Sequence, residues 1–482
     1  MKAFKLTPIL VLFLLATSCE RILDQKPLSD ITQANFWNTP KDAEAGLIAV
    51  YNLHMNTAYT AFQLGEIRSD NLEMPTKWGY EMVNPQSADL NNNILSPVDG
   101  IASWVSFFNV VSRANEVLFF TEKINFADQV DKNRVLGEAY FLRAHSYFTM
   151  AKNWGAVPLI TLPFASQGED MYVERTPVNL IYDQIIKDLE QAETLLPVTR
   201  TDQRVRATKG AAQALFCDVL LTRGYSTFAK TDDFAKAIEK ANLVIANTNY
   251  KLVSGAAYAS IFRDGNSSES IFELAFNFNN LATHALSNFF LPRAYNKFRP
   301  YGGETLMLPS HSLVNAFEAG DLRAPTTFTV LRAEDEQYYD ANVKGMTYGN
   351  KYLGTVTNVG VQRYSDDNYI IYRLPDVMLM KAEALVQTGN LPDAVAIVTQ
   401  IRARAGLAAK AAATKDAALA LVLDERKKEL AFEGKRWYDL MRTNKVSTFR
   451  TETSFIQNRF LLPVPQAEVD RNAKLLPQNP TY

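Results

Sequence analysis

Glu425, Glu429 and Glu433 recur at every fourth residue, so in one continuous helix they form a column of three carboxylates. Di-metal bundle sites use inward carboxylates in this way, but they add a Glu-x-x-His pair, and no histidine stands near this run. Arg426, Arg436 and Arg442 are close enough in sequence to neutralise the column, so its spacing predicts structural ion pairing. The four histidines, His54, His145, His284 and His311, form no His-Glu-x-x-His motif. The chain also lacks a Walker loop, a Gly-x-Gly-x-x-Gly turn and a Gly-x-Ser-x-Gly elbow. Asp89-Leu90-Asn91-Asn92-Asn93 opens like a calcium loop, but Ile94 stands where glycine is required and Gly100 where the closing glutamate belongs. A polar surface loop is the expectation there. No metal, cofactor or catalytic group is assigned.

The elements that must position these residues are mostly helical. Ile181, Ile185, Leu189, Ala192 and Leu196 form one apolar stripe, with Thr176-Pro177 as the predicted helix start and Pro197 as its stop. A second stripe carries Val135, Ala139, Leu142, Ser146 and Met150 and ends near Trp154-Gly155. Two helical hairpins follow from the pattern, one from Ala211 to Ile245 and one from Val377 to Gly406. Gly389 before Ala394 fits the register of a tetratricopeptide (TPR) repeat, a helix–turn–helix unit of about 34 residues. Between Tyr250 and Asp366 the periodicity fails. Residues 270–276 read as a short strand there, amid long aromatic loops of the kind that carry function.

The N-terminus reads as a targeting signal. Lys2 and Lys5 precede an apolar run over residues 6–16, too short for the roughly 20 residues that span a bilayer. Small residues then lead to Cys19, the pattern of a lipoprotein cleavage site, although Ala16 stands where leucine is usual. Residues 1–18 are thus expected to be a signal peptide and Cys19 a lipidated N-terminus, held to a membrane by several acyl chains. Cys217, the other cysteine, lies in an apolar helical pattern and is expected in the core, leaving no disulfide. A net charge of −2 without a basic stripe argues against nucleic acid as a partner.

The C-terminal third carries a specific series of motifs: YRLPDVMLMKAEA at residues 372–384, IRARAGL at 401–407, DERKKEL at 424–430, EGKRWYDLMR at 433–442, LPVP at 462–465 and QNPTY at 478–482. Residues 113–118 (RANEVL), 138–144 (EAYFLRA) and 153–159 (NWGAVPL) agree with it in the N-terminal half, as does the start CERILDQKP at residues 19–27. In this order the blocks resemble the SusD/RagB family of outer-membrane nutrient-binding lipoproteins. The resemblance implies a mainly α, SusD-like fold, in which TPR-like hairpins form a scaffold for a loop-rich, partly irregular ligand-binding face. It implies a single domain over residues 19–482, with an N-terminal part (19–250) and a C-terminal RagB/SusD part (268–482). It further implies a non-enzymatic protein on the cell surface that binds an oligosaccharide or polysaccharide and passes it to a SusC-like, TonB-dependent transporter. An oligopeptide binder of the RagB type is the alternative, and a surface glycoside hydrolase a more distant one.

A sugar packs its C–H face on an aromatic plane and turns its hydroxyls toward fixed polar partners, so a glycan site needs exposed rings beside Asp, Asn or Arg. Two segments have that composition. Arg68-Ser69-Asp70-Asn71 runs on to Trp78 and Tyr80, and Tyr295, Phe298 and Tyr301 stand among polar residues. The candidate ligand contacts are therefore Asp70, Asn71, Trp78, Tyr80, Tyr295, Phe298 and Tyr301, with Trp104 as a further ring. Tyr338-Tyr339 is a lesser candidate, and Trp154 and Trp437 are read as structural.

Overall fold

The computed structural model describes residues 36–74, 85–163, 172–200, 204–263, 265–277, 279, 282–291, 307–330, 347–357 and 362–482. Its scaffold is a succession of helices: α1 (Pro40–Met55), α2 (Val105–Thr121), α3 (Gln129–Trp154), α4 (Val178–Leu195), α5 (Lys209–Gly224), α6 (Asp233–Ile245), α7 (Leu374–Gln387), α8 (Leu391–Arg404), α9 (Lys415–Glu429) and α10 (Arg436–Arg442). From α1 to α9 each helix packs on the next, including α6 on α7, although residues 246–373 intervene. The irregular segment is thus looped out of a continuous helical array, as TPR-like hairpins with an insertion require.

Local chemistry accounts for the helix limits. In α1, Thr39 and Asp42 form a reciprocal capping box with Pro40 in the first turn. Asp128, Thr208, Asn390 and Thr414 cap α3, α5, α8 and α9 through their side-chain oxygens. Helix α3 stops at Gly155, whose φ of +70° a side chain tolerates poorly and where a Cβ would press on Leu461 at 2.9 Å. Helix α4 begins one residue later than its sequence suggests, with Pro177 as the cap, because Thr176 is held in a strand. The predicted stripe from Ile181 to Leu196 is buried throughout.

Short antiparallel pairs join the irregular parts. Strand β2 (Val157–Pro158) pairs with β3 (Arg175–Thr176), β1 (Leu72–Glu73) with β5 (Leu308–Pro309), and β6 (Phe328–Val330) with β7 (Thr347–Gly349). Strand β8 (Thr355–Thr357) pairs with β9 (Gln362–Tyr364). Strand β4 (Ser270–Leu274), within the strand predicted over 270–276, pairs with β10 (Tyr369–Arg373), which runs straight into α7. That pair closes the insertion against the array. One apolar cluster reaches from Ala43 to Leu475, and Cys217 is fully buried in it as a free thiol. Trp154 and Trp437 are fully buried, as their sequence context predicted. No helix among the described residues is long and apolar enough to cross a membrane.

Candidate ligand-binding face

The strand pairs bring together the ends of segments that are far apart in sequence. Leu72 faces Pro309 and Glu73 faces Leu308, so the described residues just before 75–84 lie beside those just after 292–306. Strand β5 lies against β7, and the β6–β7 hairpin carries residues 331–346. The roots of three long segments therefore meet at one joined group of strands. Trp78, Tyr80, Tyr295, Phe298 and Tyr301 lie in these segments, outside the described residues, as do Tyr338 and Tyr339. Cys19 also lies outside them.

The described surface at these roots carries groups suited to a polar ring ligand. Tyr59 and Phe289, both half-buried, stack with their centroids 5.0 Å apart and their planes at 20°. The amide of Gln63 donates to the Tyr59 hydroxyl at 3.0 Å, and Met307 N donates to Phe289 O at 3.1 Å, tying the stack to the root of β5. His311 and Glu73 stand 3.2 Å apart, with the imidazole 89% exposed. The sequence reading missed Tyr59 and Phe289, because only the tertiary contact of Phe289 with Met307 places their stack at the root of β5.

Asp70 and Asn71 take a different part from the one predicted. Both are buried; the Asp70 carboxylate and the Asn71 amide N–H are committed to internal partners, while Asn71 Oδ1 is buried without one. Asp70 pairs with Arg436 Nε at 2.7 Å and Lys427 Nζ at 2.7 Å. Burial opposes its charge, but Arg436 and Lys427 outweigh that and hold the carboxyl at about 2. Asn71 donates to Glu66 Oε1 at 2.7 Å, and Ser310 anchors on the carbonyls of both residues. These two side chains position β1 and its ladder to β5; a ligand at the surface does not reach them. Arg68 is likewise internal, lying 4.0 Å over the Trp437 ring and donating to Asn93 Oδ1 at 2.8 Å.

The same turn is locked to the C-terminal motif. Glu66 accepts from the backbone N–H of Phe432 and of Gly434, at 2.9 and 3.0 Å. A Cβ on Gly65 would lie 2.1 Å from Gly434 O, so the two backbones meet only because residue 65 has no side chain. Burial raises Glu66 to about 7, the hydrogen bonds only partly offsetting it.

Trp104 is also a scaffold residue. It is 3% exposed, with its ring 6.0 Å from Trp154 and 5.8 Å from Phe108. It contributes to the wall of a groove of about 340 Å³ with Val105, Phe108, Tyr172 and Leu475, whereas the strand roots lie elsewhere. Asp89 to Asn91 end a helix, and Asn91 and Asn93 are buried, where an exposed polar loop was expected. Asn91 donates to Ile67 O and Asn93 to Ile456 O.

The carboxylate column is a neutralised ion network, as predicted, but with other bases. Glu425 pairs with Arg323, Arg402 and Lys428, Glu429 with Arg323, Arg373 and Arg404, and Glu433 with Arg373 and Lys351. Arg426, Arg436 and Arg442 turn instead to Asp376 and Asp439, to Asp70, and to Glu383 and Asp439. Burial opposes the charge on Glu429, yet Arg404, Arg373 and Arg323 hold it well below the usual carboxylate range. Among the described residues no group of three or more His, Cys, Asp or Glu could hold a metal ion. The described rings and polar groups of this face are able to stack and to hydrogen-bond.

Comparison with known proteins agrees with the fold. The sequence model of the SusD family matches residues 333–482, and one described as "Starch-binding associating with outer membrane" matches residues 22–221. A SusD-like protein of Formosa agariphila, P2, is 28% identical, with all of both chains covered. The crystal structure of a SusD superfamily protein from Parabacteroides distasonis superposes with a TM-score of 0.78 at 26% identity, covering 91% of this chain and 99% of that one. A laminarin-binding SusD-like protein gives 0.79 at 26% identity, covering 92% and 100%. With its helical array, its C-terminal motif series locked into one buried network and these matches along its length, the chain belongs to the SusD/RagB family.

Proposed function

We propose that this chain is a surface lipoprotein of the outer membrane, tethered through Cys19, that binds an oligosaccharide where the three aromatic segments are rooted. It then passes the glycan to a SusC-like, TonB-dependent transporter. The observation that carries the reading is the pairing of β1 with β5, which roots the segment of Trp78 and Tyr80 beside that of Tyr295, Phe298 and Tyr301. The stacked Tyr59 and Phe289 and the exposed His311 add a ring surface and a polar group at the same place. A laminarin-binding relative at 26% identity favours a glycan over a peptide. The protein captures its ligand without transforming it: the buried carboxylates that could mimic an acid–base pair are bound up with arginines. Residues 1–18 act as the export signal, and residues 19–482 form one domain.

Isothermal titration of the purified chain against oligosaccharide and peptide panels tests this, with laminarin fragments among the glycans. Glycan binding without product release is the result expected. Binding confined to peptides, or cleavage of a glycan by the pure protein, overturns it. For the tether, a Cys19→Ala variant should leave the membrane fraction, and its retention there counts against lipidation.

A further inference from the structure

A second cavity, of about 270 Å³, opens where the C-terminal turn of α3 meets the start of α4, the α5–α6 turn and α10. None of its lining residues belongs to the strands that root the aromatic segments. Its walls are largely apolar, with Tyr182, Phe228, Met441 and Leu461 among them, and one wall carries Lys152.

Lys152 differs from the fully enclosed lysines of the fold. Lys351 donates to Ala431 O and Glu433, Lys427 to Asp70 and Ser312, and Lys428 to Asp424. The Lys152 side chain is only 12% exposed, yet among the described residues its ammonium has no hydrogen-bond partner. The carboxylate of Asp218 stays 3.9 Å away and is occupied by the Tyr372 hydroxyl at 2.8 Å. The rings of Phe148 and Tyr438 hold the ammonium instead, at 4.1 and 4.0 Å from their centroids. A ring face stabilises a cation but accepts none of its three N–H donors in the ordinary way, so beyond the long pairing with Asp218 these donors stay open to a ligand at the cavity. Arg442, also at the cavity, has no such demand, being bound by both oxygens of Glu383.

We propose that this cavity binds a small organic carboxylate with an apolar body, the carboxylate accepting from the Lys152 ammonium and the body packing among the surrounding rings. A strongly hydrated inorganic anion suits such walls poorly, and an uncharged apolar molecule leaves the ammonium unsatisfied. The groups that set the field at Lys152 are Asp218 on α5 and Asp376 on α7, against Lys435 and Arg442 at α10. Burial lowers the amine to about 8, so it is charged at pH 7 and neutral well above pH 8. The inference is independent of the glycan reading: a failure to bind carboxylates leaves the strand-rooted face untouched.

Benzoate and its uncharged counterpart benzyl alcohol are the probes. Acetic anhydride labelling of the full chain, read by peptide mass spectrometry with exposed Lys236 as reference, reports access to Lys152. Benzoate should slow labelling of Lys152 at pH 7 by about fivefold or more, and benzyl alcohol should not. Titration should show benzoate binding about tenfold weaker at pH 9 than at pH 7, following loss of the ammonium charge. Lys152→Met should bind benzoate at least about tenfold more weakly at pH 7. If that variant does not fold, labelling of the unaltered chain decides alone. No protection by benzoate at tens of millimolar, equal protection by benzyl alcohol, or unchanged affinity in folded Lys152→Met overturns the proposal.

Discussion

Glu73 faces Leu308 across the β1–β5 ladder, and this one register brings the residues that precede one aromatic segment beside those that follow the other. If they share a ligand, Trp78→Ala and Tyr295→Ala should each lower oligosaccharide affinity by about tenfold, or ~1.4 kcal/mol, the scale of one lost aromatic platform. If the rings serve the ligand alone, neither substitution should move the melting temperature of the unliganded chain. Calorimetric titration with parallel thermal scans checks both parts. Full affinity in both variants removes the glycan site from this face.

Asp70 makes the opposite prediction, because it belongs to the frame. Asp70→Asn leaves Arg436 and Lys427 buried without their shared carboxylate, a type of loss that costs about 3–5 kcal/mol. Ligand affinity of the folded fraction should be unchanged. The wild-type contribution also has a definite acid limit. With the folded carboxyl at about 2 against an ordinary 3.8, it is fully present above pH ~4 and is lost as pH falls toward 2. Urea titrations of both proteins at several pH values test this, and an affinity loss without a stability loss would return Asp70 to the binding site.

The contrast between these residues shows what the sequence could and could not disclose. Periodicity identified the stripe from Ile181 to Leu196 and both hairpins, since amphipathic helices write their burial into local spacing. The boundary at Pro177 moved by one residue because Thr176 pairs with Val157, a contact outside the local pattern. Asp70 and Asn71 read as surface groups because polar side chains usually are. The burial of Asp70 depends on Arg436, 366 residues further on, which no local rule connects to it. The bases around the glutamate column failed for a related reason. Arg426 follows Glu425 directly and so points about 100° around the helix, toward Asp376 and Asp439. Arg323 and Arg373, which arrive from the insertion, fill the space instead.

Glu429 sits at the centre of that arrangement, accepting from Arg323, Arg373 and Arg404. Glu429→Gln removes the charge while keeping the shape, so three buried guanidiniums lose a common counter-ion. The expected loss is at least about 3–5 kcal/mol, enough to threaten folding at 37 °C. An observed change under about 1 kcal/mol would mean that the neighbouring Glu425, Glu269 and Glu433 absorb the charge, and the column is then redundant.

His54 and His145 form the pair that sequence separation concealed: their ring nitrogens Nε2 and Nδ1 are 2.9 Å apart in the core, with the rings at 86°. His54 Nδ1 is buried without a partner. An orphaned acceptor costs less than an orphaned N–H, so the favoured tautomer has His54 donating from Nε2 to His145 Nδ1. Protonating either ring in this setting charges a desolvated group, and at His145 Nδ1 it also sets two N–H groups against each other. Burial lowers His54 and His284 to about 4, and burial, with the nearby His54, Lys152 and Lys435 adding to it, holds His145 well below the ordinary imidazole range. The unfolded chain therefore binds more protons than the folded one below pH ~6.5. Stability should be insensitive to these groups above pH ~7 and fall as pH drops toward 4, by up to about 1.4 kcal/mol per pH unit for each histidine. His54→Gln keeps a donor for His145 and removes one titrating ring, so its acid slope between pH 6 and 4.5 should be shallower by roughly a third of the histidine contribution. Chemical denaturation across that range measures both slopes, and identical slopes would show that His54 does not carry the acid sensitivity.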